Sequence, residues 1–172
     1  MKRLLALLSI FLVVFFASCG NDINMEKINS LESMMLDENG MLRNDVGLQL
    51  VDAYILYVEK NSEDENAPNI LFKALDLSVN LQSDDYSKSI EIADMMVEKY
   101  PNHEMSPMAL YLKAFIYEEL MRDNENAEKA YKEFLEKYPD NPMAEEVRFA
   151  MKNIGIPTLE LIRQFENESQ NR

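Results

Sequence analysis

Ala109 to Pro139 reads ALYLKAFIYEELMRDNENAEKAYKEFLEKYP, and its periodicity decides the fold. In its second half, Ala127, Ala130, Tyr131, Phe134, Leu135 and Tyr138 fall at i, i+3, i+4, i+7, i+8 and i+11. That spacing places all six on one face of a helix. Glu128, Lys129, Lys132, Glu133, Glu136 and Lys137 fill the opposite face. Tyr138-Pro139 ends the helix, because proline disfavours helical geometry in the residue before it. The first half supplies a second helix, and the two read as a hairpin.

The same face returns upstream. Counting back 38 residues gives Ser89, Ile92, Ala93, Met96, Val97 and Tyr100, followed by Pro101. A further 39 back gives Leu50, Ala53, Tyr54, Tyr57, Val58 and Asn61. A repeat of this length predicts stacked helical hairpins, none of which buries its apolar face alone.

The full chain has 172 residues, a net charge of -14, four glycines and one cysteine. Helix formers dominate and no β-alternating run stands out, so one α-helical domain is expected. A single cysteine excludes an internal disulfide. The acidic balance argues against nucleic acid, whose phosphates call for clustered Lys and Arg. It argues equally against docking on anionic lipid through a basic patch. Solubility is the simplest reading of the charge.

Residues 1–18 read as an export signal. Lys2 and Arg3 precede the apolar run from Leu4 to Phe16, and Ala17 and Ser18 are small. As a helix that run is roughly 20 Å long, short of the ~30 Å hydrocarbon core, so it suits a signal segment rather than a span. Phe16-Ala17-Ser18-Cys19 resembles the lipobox of bacterial lipoproteins, with Phe16 where that family usually has Leu. The resemblance implies lipidation of the Cys19 thiol, cleavage before it and acylation of the new amine. Two or three acyl chains anchor durably where one is marginal. The competing reading is a secreted protein with a free N-terminal cysteine. Gly20 follows Cys19, and in the best-known sorting rule the absence of Asp there favours the outer membrane. Loss of Lys2 and Arg3 takes the charge from -14 to -16. Residues 19–24 form the lipidated tether, 25–167 the helical domain and 168–172 a fraying tail.

Within the domain, Ile28, Leu31 and Met35 mark a first helix over 25–36, and Asp37-Glu38-Asn39-Gly40 is a turn rather than a calcium loop. Asn44 or Asp45 caps a second helix running to about Lys60. Pro68, Pro107 and Pro142 each sit where a new helix begins, with Ser106 and Asn141 as caps. The third helix, 68–81, buries Leu71, Ala74, Leu77 and Leu81. The fourth ends at Tyr100. The fifth, 107–121, presents Leu110, Ala114, Tyr117 and Met121. The seventh, 142–154, presents Val147, Ala150, Met151 and Ile154, with Gly155 as a left-handed residue past its end. Pro157 opens a last helix that caps the stack with Leu159, Ile162 and Phe165.

Ala114, Tyr117, Ala127, Tyr131, Phe134 and Pro139 together resemble the tetratricopeptide-repeat (TPR) family. The upstream unit keeps Ala74, Tyr86, Ala93 and Pro101, with Leu77 and Ser89 at two other signature positions. The earliest unit has Ser62 in place of the closing proline. The units exceed the 34-residue consensus, and the Phe134-to-Pro139 ending is similar to that of outer-membrane assembly and cell-envelope lipoproteins. The likeness covers about 45–157. It implies a right-handed all-α solenoid of three to four antiparallel hairpins whose first helices line a concave groove. In that groove Tyr111 and Phe115 are the aromatics placed to anchor a partner peptide. Packing of both against a neighbouring hairpin is an equal alternative.

No catalytic set, cofactor motif or metal spacing emerges. His103 is the single histidine and reads as a solvated loop residue. Asp84-Asp85, Glu118-Glu119 and Glu145-Glu146 are adjacent, so their side chains diverge by about 100° and do not converge on one ligand. Asn167-Glu168-Ser169 matches a glycosylation acceptor, discounted beside a bacterial lipobox. The twelve methionines suit gap-filling or an adaptable groove. The expected role is a non-enzymatic envelope scaffold holding protein partners. The alternative is a ligand-binding lipoprotein accessory to a nutrient transporter.

Overall fold

The computed structural model describes residues 24–81 and 83–170. The expected signal segment, Cys19 and the tether as far as residue 23 lie outside the described residues. The helices are α1 (Met25–Met34), α2 (Asn44–Lys60), α3 (Ala67–Asn80), α4 (Ser87–Lys99), α5 (Ser106–Phe115), α6 (Asn124–Lys137), α7 (Ala144–Lys152) and α8 (Thr158–Gln170). A π turn, Ile116–Leu120, continues α5. Among the described residues the only β feature is an isolated bridge between Leu36 and Leu42. Each helix from α1 to α6 packs on the next one in the chain. The architecture is an all-α stack of antiparallel hairpins, TPR-like in plan.

The periodic faces are the core. Leu50, Ala53, Tyr54, Tyr57 and Val58 of α2, Ile92, Ala93, Met96 and Val97 of α4, and Ala127, Ala130, Tyr131 and Phe134 of α6 are all buried. One cluster gathers α1 to α4, and a second joins Val97 to α5, α6 and α7. Val97 and Ala109 carry contact across the boundary between the two. Six of the twelve methionines fill gaps: Met96 is fully buried, and Met35, Met95, Met105, Met143 and Met151 pack against the clusters.

Three inter-hairpin turns, 61–67, 100–106 and 138–144, share one hydrogen-bond pattern. In the first, the N–H groups of Asn61, Asp64 and Ala67 donate to Tyr57, Asn61 and Asp64. In the second, Tyr100, His103 and Ser106 donate to Met96, Tyr100 and His103. In the third, Tyr138, Asn141 and Ala144 donate to Phe134, Tyr138 and Asn141. Successive turns are stitched together. The Tyr100 hydroxyl donates to the Ser62 carbonyl at 3.0 Å, and the Tyr138 hydroxyl to the Pro101 carbonyl at 3.1 Å.

Each hairpin also holds an internal polar clamp. Tyr54 donates to Glu32 at 2.5 Å, Ser78 to Ser89 at 2.8 Å and Tyr131 to Glu118 at 2.8 Å. Burial and the adjoining carboxylate push both phenols up. The Tyr54 hydrogen bond, and then Lys73 at 3.1 Å, hold Glu32 below the usual carboxylate range.

Several expectations are corrected. Asn44 and Asp45 lie inside α2, whose N-cap is Arg43. Ser106 is the first residue of α5, and its hydroxyl turns back to donate to the Tyr100 carbonyl at 2.5 Å. Pro68 and Pro107 sit in the first turns of α3 and α5, but Pro142 stands before α7. Met121 is 41% exposed rather than buried. The π turn adds a residue to the rotation and swings it off the face of Leu110 and Ala114. Leu159 and Ile162 are 62% and 47% exposed, so two of the three residues expected to cap the stack face outward. The spacing along α8 is amphipathic, but spacing alone does not dictate docking. Gly155 has the expected positive φ of +75°, and a Cβ there would meet the Asn124 amide at 2.5 Å.

Two outcomes follow. Tyr100→Phe removes one stitch and lowers unfolding free energy by about 1 kcal/mol in urea titrations, with Tyr138→Phe adding independently. The folded-state preference of Glu32 for its ionised form adds stability above the ordinary carboxylate value of 4.5, which is lost as pH falls through the lower folded value. Glu32→Gln therefore flattens the acid limb of the stability–pH curve between 4.5 and the lower folded value, measured by thermal melts from pH 7 downward.

Candidate functional site

α5 lies between α4 and α6, and its inward residues Ala109, Leu110 and Ala114 are fully buried. Its remaining face is formed by Met108, Tyr111, Leu112 and Phe115, at i, i+3, i+4 and i+7. All four are half-buried. The aligned turns set the frame for comparing the hairpins. With Ala67 matched to Ser106, the same positions on α3 are Asn69, Phe72, Lys73 and Asp76. With Ser106 matched to Ala144, those on α7 are Glu146, Phe149, Ala150 and Asn153. Only α5 among these three presents four apolar side chains there.

The two expected anchors differ in setting. The Tyr111 ring leans on Tyr131, with centroids 6.2 Å apart and planes at 49°. It packs on the second cluster, and burial together with the Glu146 and Glu118 carboxylates raises its phenol. Tyr111 is thus held in part by its own hairpin. Phe115 is half-buried one turn further on, where the π turn begins. The frame also shows an aromatic as the sixth residue of each first helix: Phe72, Tyr111 and Phe149. Sequence periodicity alone missed this register, because the count has to start from the turns.

Lys113 fixes α5 laterally. Only 15% of its side chain is exposed, and its ammonium donates to Asp94 of α4 at 2.6 Å and reaches Glu133 of α6 at 3.5 Å. Burial disfavours its charge, but the two carboxylates outweigh that and raise its pKa. The ion triad holds three consecutive helices and leaves the apolar face of α5 without a charged member.

Beyond α5 the chain departs from regular helix twice. The π turn is followed by Arg122 at φ 57°, in the left-handed region that side chains rarely adopt. A polar cavity of about 390 Å³ opens there, lined by Glu118, Glu119, Arg122, Asn124, Gly155, Ile156 and Pro157. Glu118 accepts from the Tyr131 hydroxyl at 2.8 Å and from the Gly155 N–H at 3.4 Å. Among the described residues, no group of three or more His, Cys, Asp and Glu side chains is placed to hold a metal, and no helix is long and apolar enough to cross a membrane.

Residues 108–141 match the family model described as Tetratricopeptide repeat. No curated protein and no solved structure matches the chain. The matched segment contains most of α5, the π turn, α6 and the start of the third turn. It therefore coincides with the hairpin that carries the apolar face. A repeat of this kind is an interaction module that binds protein partners.

Replacing Lys113 with Ala takes from Asp94 its ammonium partner and from Glu133 one of two, Lys137 lying at 3.4 Å, at a cost of about 1 kcal/mol because both carboxylates are partly exposed. Lys113→Met with Asp94→Leu recovers part of that loss, because Asp94 is then not left without its cation. Chemical denaturation of the three proteins checks both statements.

Proposed function

We propose that this chain is a lipid-anchored scaffold of the bacterial cell envelope. It holds an apolar segment of a partner polypeptide against α5, in the service of outer-membrane protein assembly. The observation that carries the reading is the face of Met108, Tyr111, Leu112 and Phe115. It is half-buried, free of charge and set on the hairpin that matches the repeat family. A solvent-facing helix stripe ordinarily carries charged residues, as α3 does with Lys73 and Asp76. A contiguous apolar face on an otherwise acidic surface suits association with another chain. The anchor and the envelope address draw on the lipobox-like Phe16-Ala17-Ser18-Cys19 and the apolar run before it. The assembly role draws on the likeness of the Phe134-to-Pro139 ending to that lipoprotein group.

The accessory-lipoprotein alternative draws on the polar cavity beside Glu118. A thermal shift with one class of small ligand, abolished by Asn124→Leu, would favour it over the scaffold.

The scaffold reading makes two separable predictions. A photo-crosslinking residue at position 111 or 115 captures the same protein partner in intact cells, identified by mass spectrometry. The same residue at position 73, at the matching place on α3, does not. Tyr111→Ala together with Phe115→Ala reduces recovery of that partner roughly ten-fold or more, as truncation of aromatic anchors does. Cys19→Ser moves the protein from the membrane pellet to the soluble fraction. Its persistence in the pellet would sink the anchor and leave the α5 face untouched.

A further inference from the structure

The three matched turns solve one local problem with three different side chains. In each, the residue at the fourth position accepts a hydrogen bond from the backbone N–H two residues on, just before the next helix. Asp64 Oδ1 accepts from Asn66 at 2.8 Å, and Asn141 Oδ1 accepts from Met143 at 2.9 Å. In the middle turn the acceptor is His103 Nδ1, which takes the Met105 N–H at 3.3 Å. Asn and Asp are the usual side chains for this turn. Histidine makes the bond only as neutral imidazole with Nδ1 unprotonated, since both ring nitrogens of the cation are donors.

We propose that His103 is a pH-sensitive latch on α5. Protonation at Nδ1 removes the acceptor, turns two N–H groups toward each other and sets a positive charge near the N-terminal end of α5, where the helix dipole opposes it. The turn before α5 loosens while those before α3 and α7 stay closed. Asn141 has no charge to change. Asp64 stays ionised well into the acid range, held below its usual value by the Tyr57 hydroxyl and the Asn66 N–H. The cleft around His103 is lined by Asn102, Glu104, Lys137, Tyr138 and Asn141. Glu104 and Lys137 are the charged side chains that line this cleft with His103, and Lys137 is drawn to Glu133 at 3.4 Å. The latch acts on the helix that bears Tyr111 and Phe115. It stands on turn geometry and is independent of what α5 binds.

The test is solvent-exchange NMR on the full chain between pH 8 and pH 5. The Met105, Asn66 and Met143 amides serve as probe and internal references, each corrected for its intrinsic rate. The expected result is a roughly three- to ten-fold loss of Met105 protection relative to Met143 as pH falls, the range lost with one such hydrogen bond. Asn66 should follow Met143. His103→Asn installs the acceptor of the third turn and should abolish the dependence while leaving the fold intact. The imidazole nitrogen shifts give a second readout, unambiguous because the chain has one histidine. They should report the Nε2–H tautomer at high pH. A flat Met105-to-Met143 ratio, a dependence that survives His103→Asn, or an Nδ1–H tautomer at high pH would each overturn the proposal.

Discussion

Every helix in this stack has one apolar stripe, and no stripe can be hidden inside its own hairpin. Mutual shielding between neighbouring helices is therefore the constraint from which the rest follows. It explains why Phe134 and Tyr131, Met96 and Ala93, and Tyr57 and Tyr54 are buried at matching places along the chain. It also explains why contacts are nearest-neighbour in sequence. Stability in such an array is close to a sum of unit and interface terms. The tyrosine stitches between turns and the Lys113 triad between helices supply directional contacts that the apolar stripes lack.

The same constraint defines the candidate site by subtraction. α5 spends its inner face on α4 and α6, and the face that remains is the candidate site. On α3 the remaining face carries charge, and on α5 it does not. Lys113 is the near exception, and its ammonium is drawn sideways into two carboxylates. Tyr111 joins both alternatives that the sequence left open: its ring leans on Tyr131, and the residue is still only half-buried. The π turn and the left-handed Arg122 gather where this hairpin meets the end of the stack. Backbone departures of this kind persist only where the surroundings hold them.

Much of the fold was legible from spacing. The six residues from Ala127 to Tyr138 identify their buried face with no coordinates, and so do their counterparts on α2 and α4. Less of the site was legible. Tyr111 and Phe115 could be chosen as aromatics on a first helix, but the absence of charge around them became meaningful only once the hairpins were aligned turn by turn. His103 was read as a solvated loop residue, whereas it is the middle member of a set of three acceptors. Histidine is not a usual turn residue, so no local preference could mark it.

What the sequence determined by itself is the helical class, the repeat and the buried stripes. Each is a matter of local periodicity and of proline or glycine punctuation acting over a few residues. What only the tertiary structure decided is how α5 ends and which faces stay uncovered. The end of α5 could close in an ordinary helical turn or in a widened one; the structure has the widened turn, Ile116–Leu120, packed on α6, with Met121 exposed. An amphipathic helix such as α8 states that it has an apolar side but not what will lie against it. That depends on the geometry of a neighbour remote in sequence, to which a short-range pattern is blind.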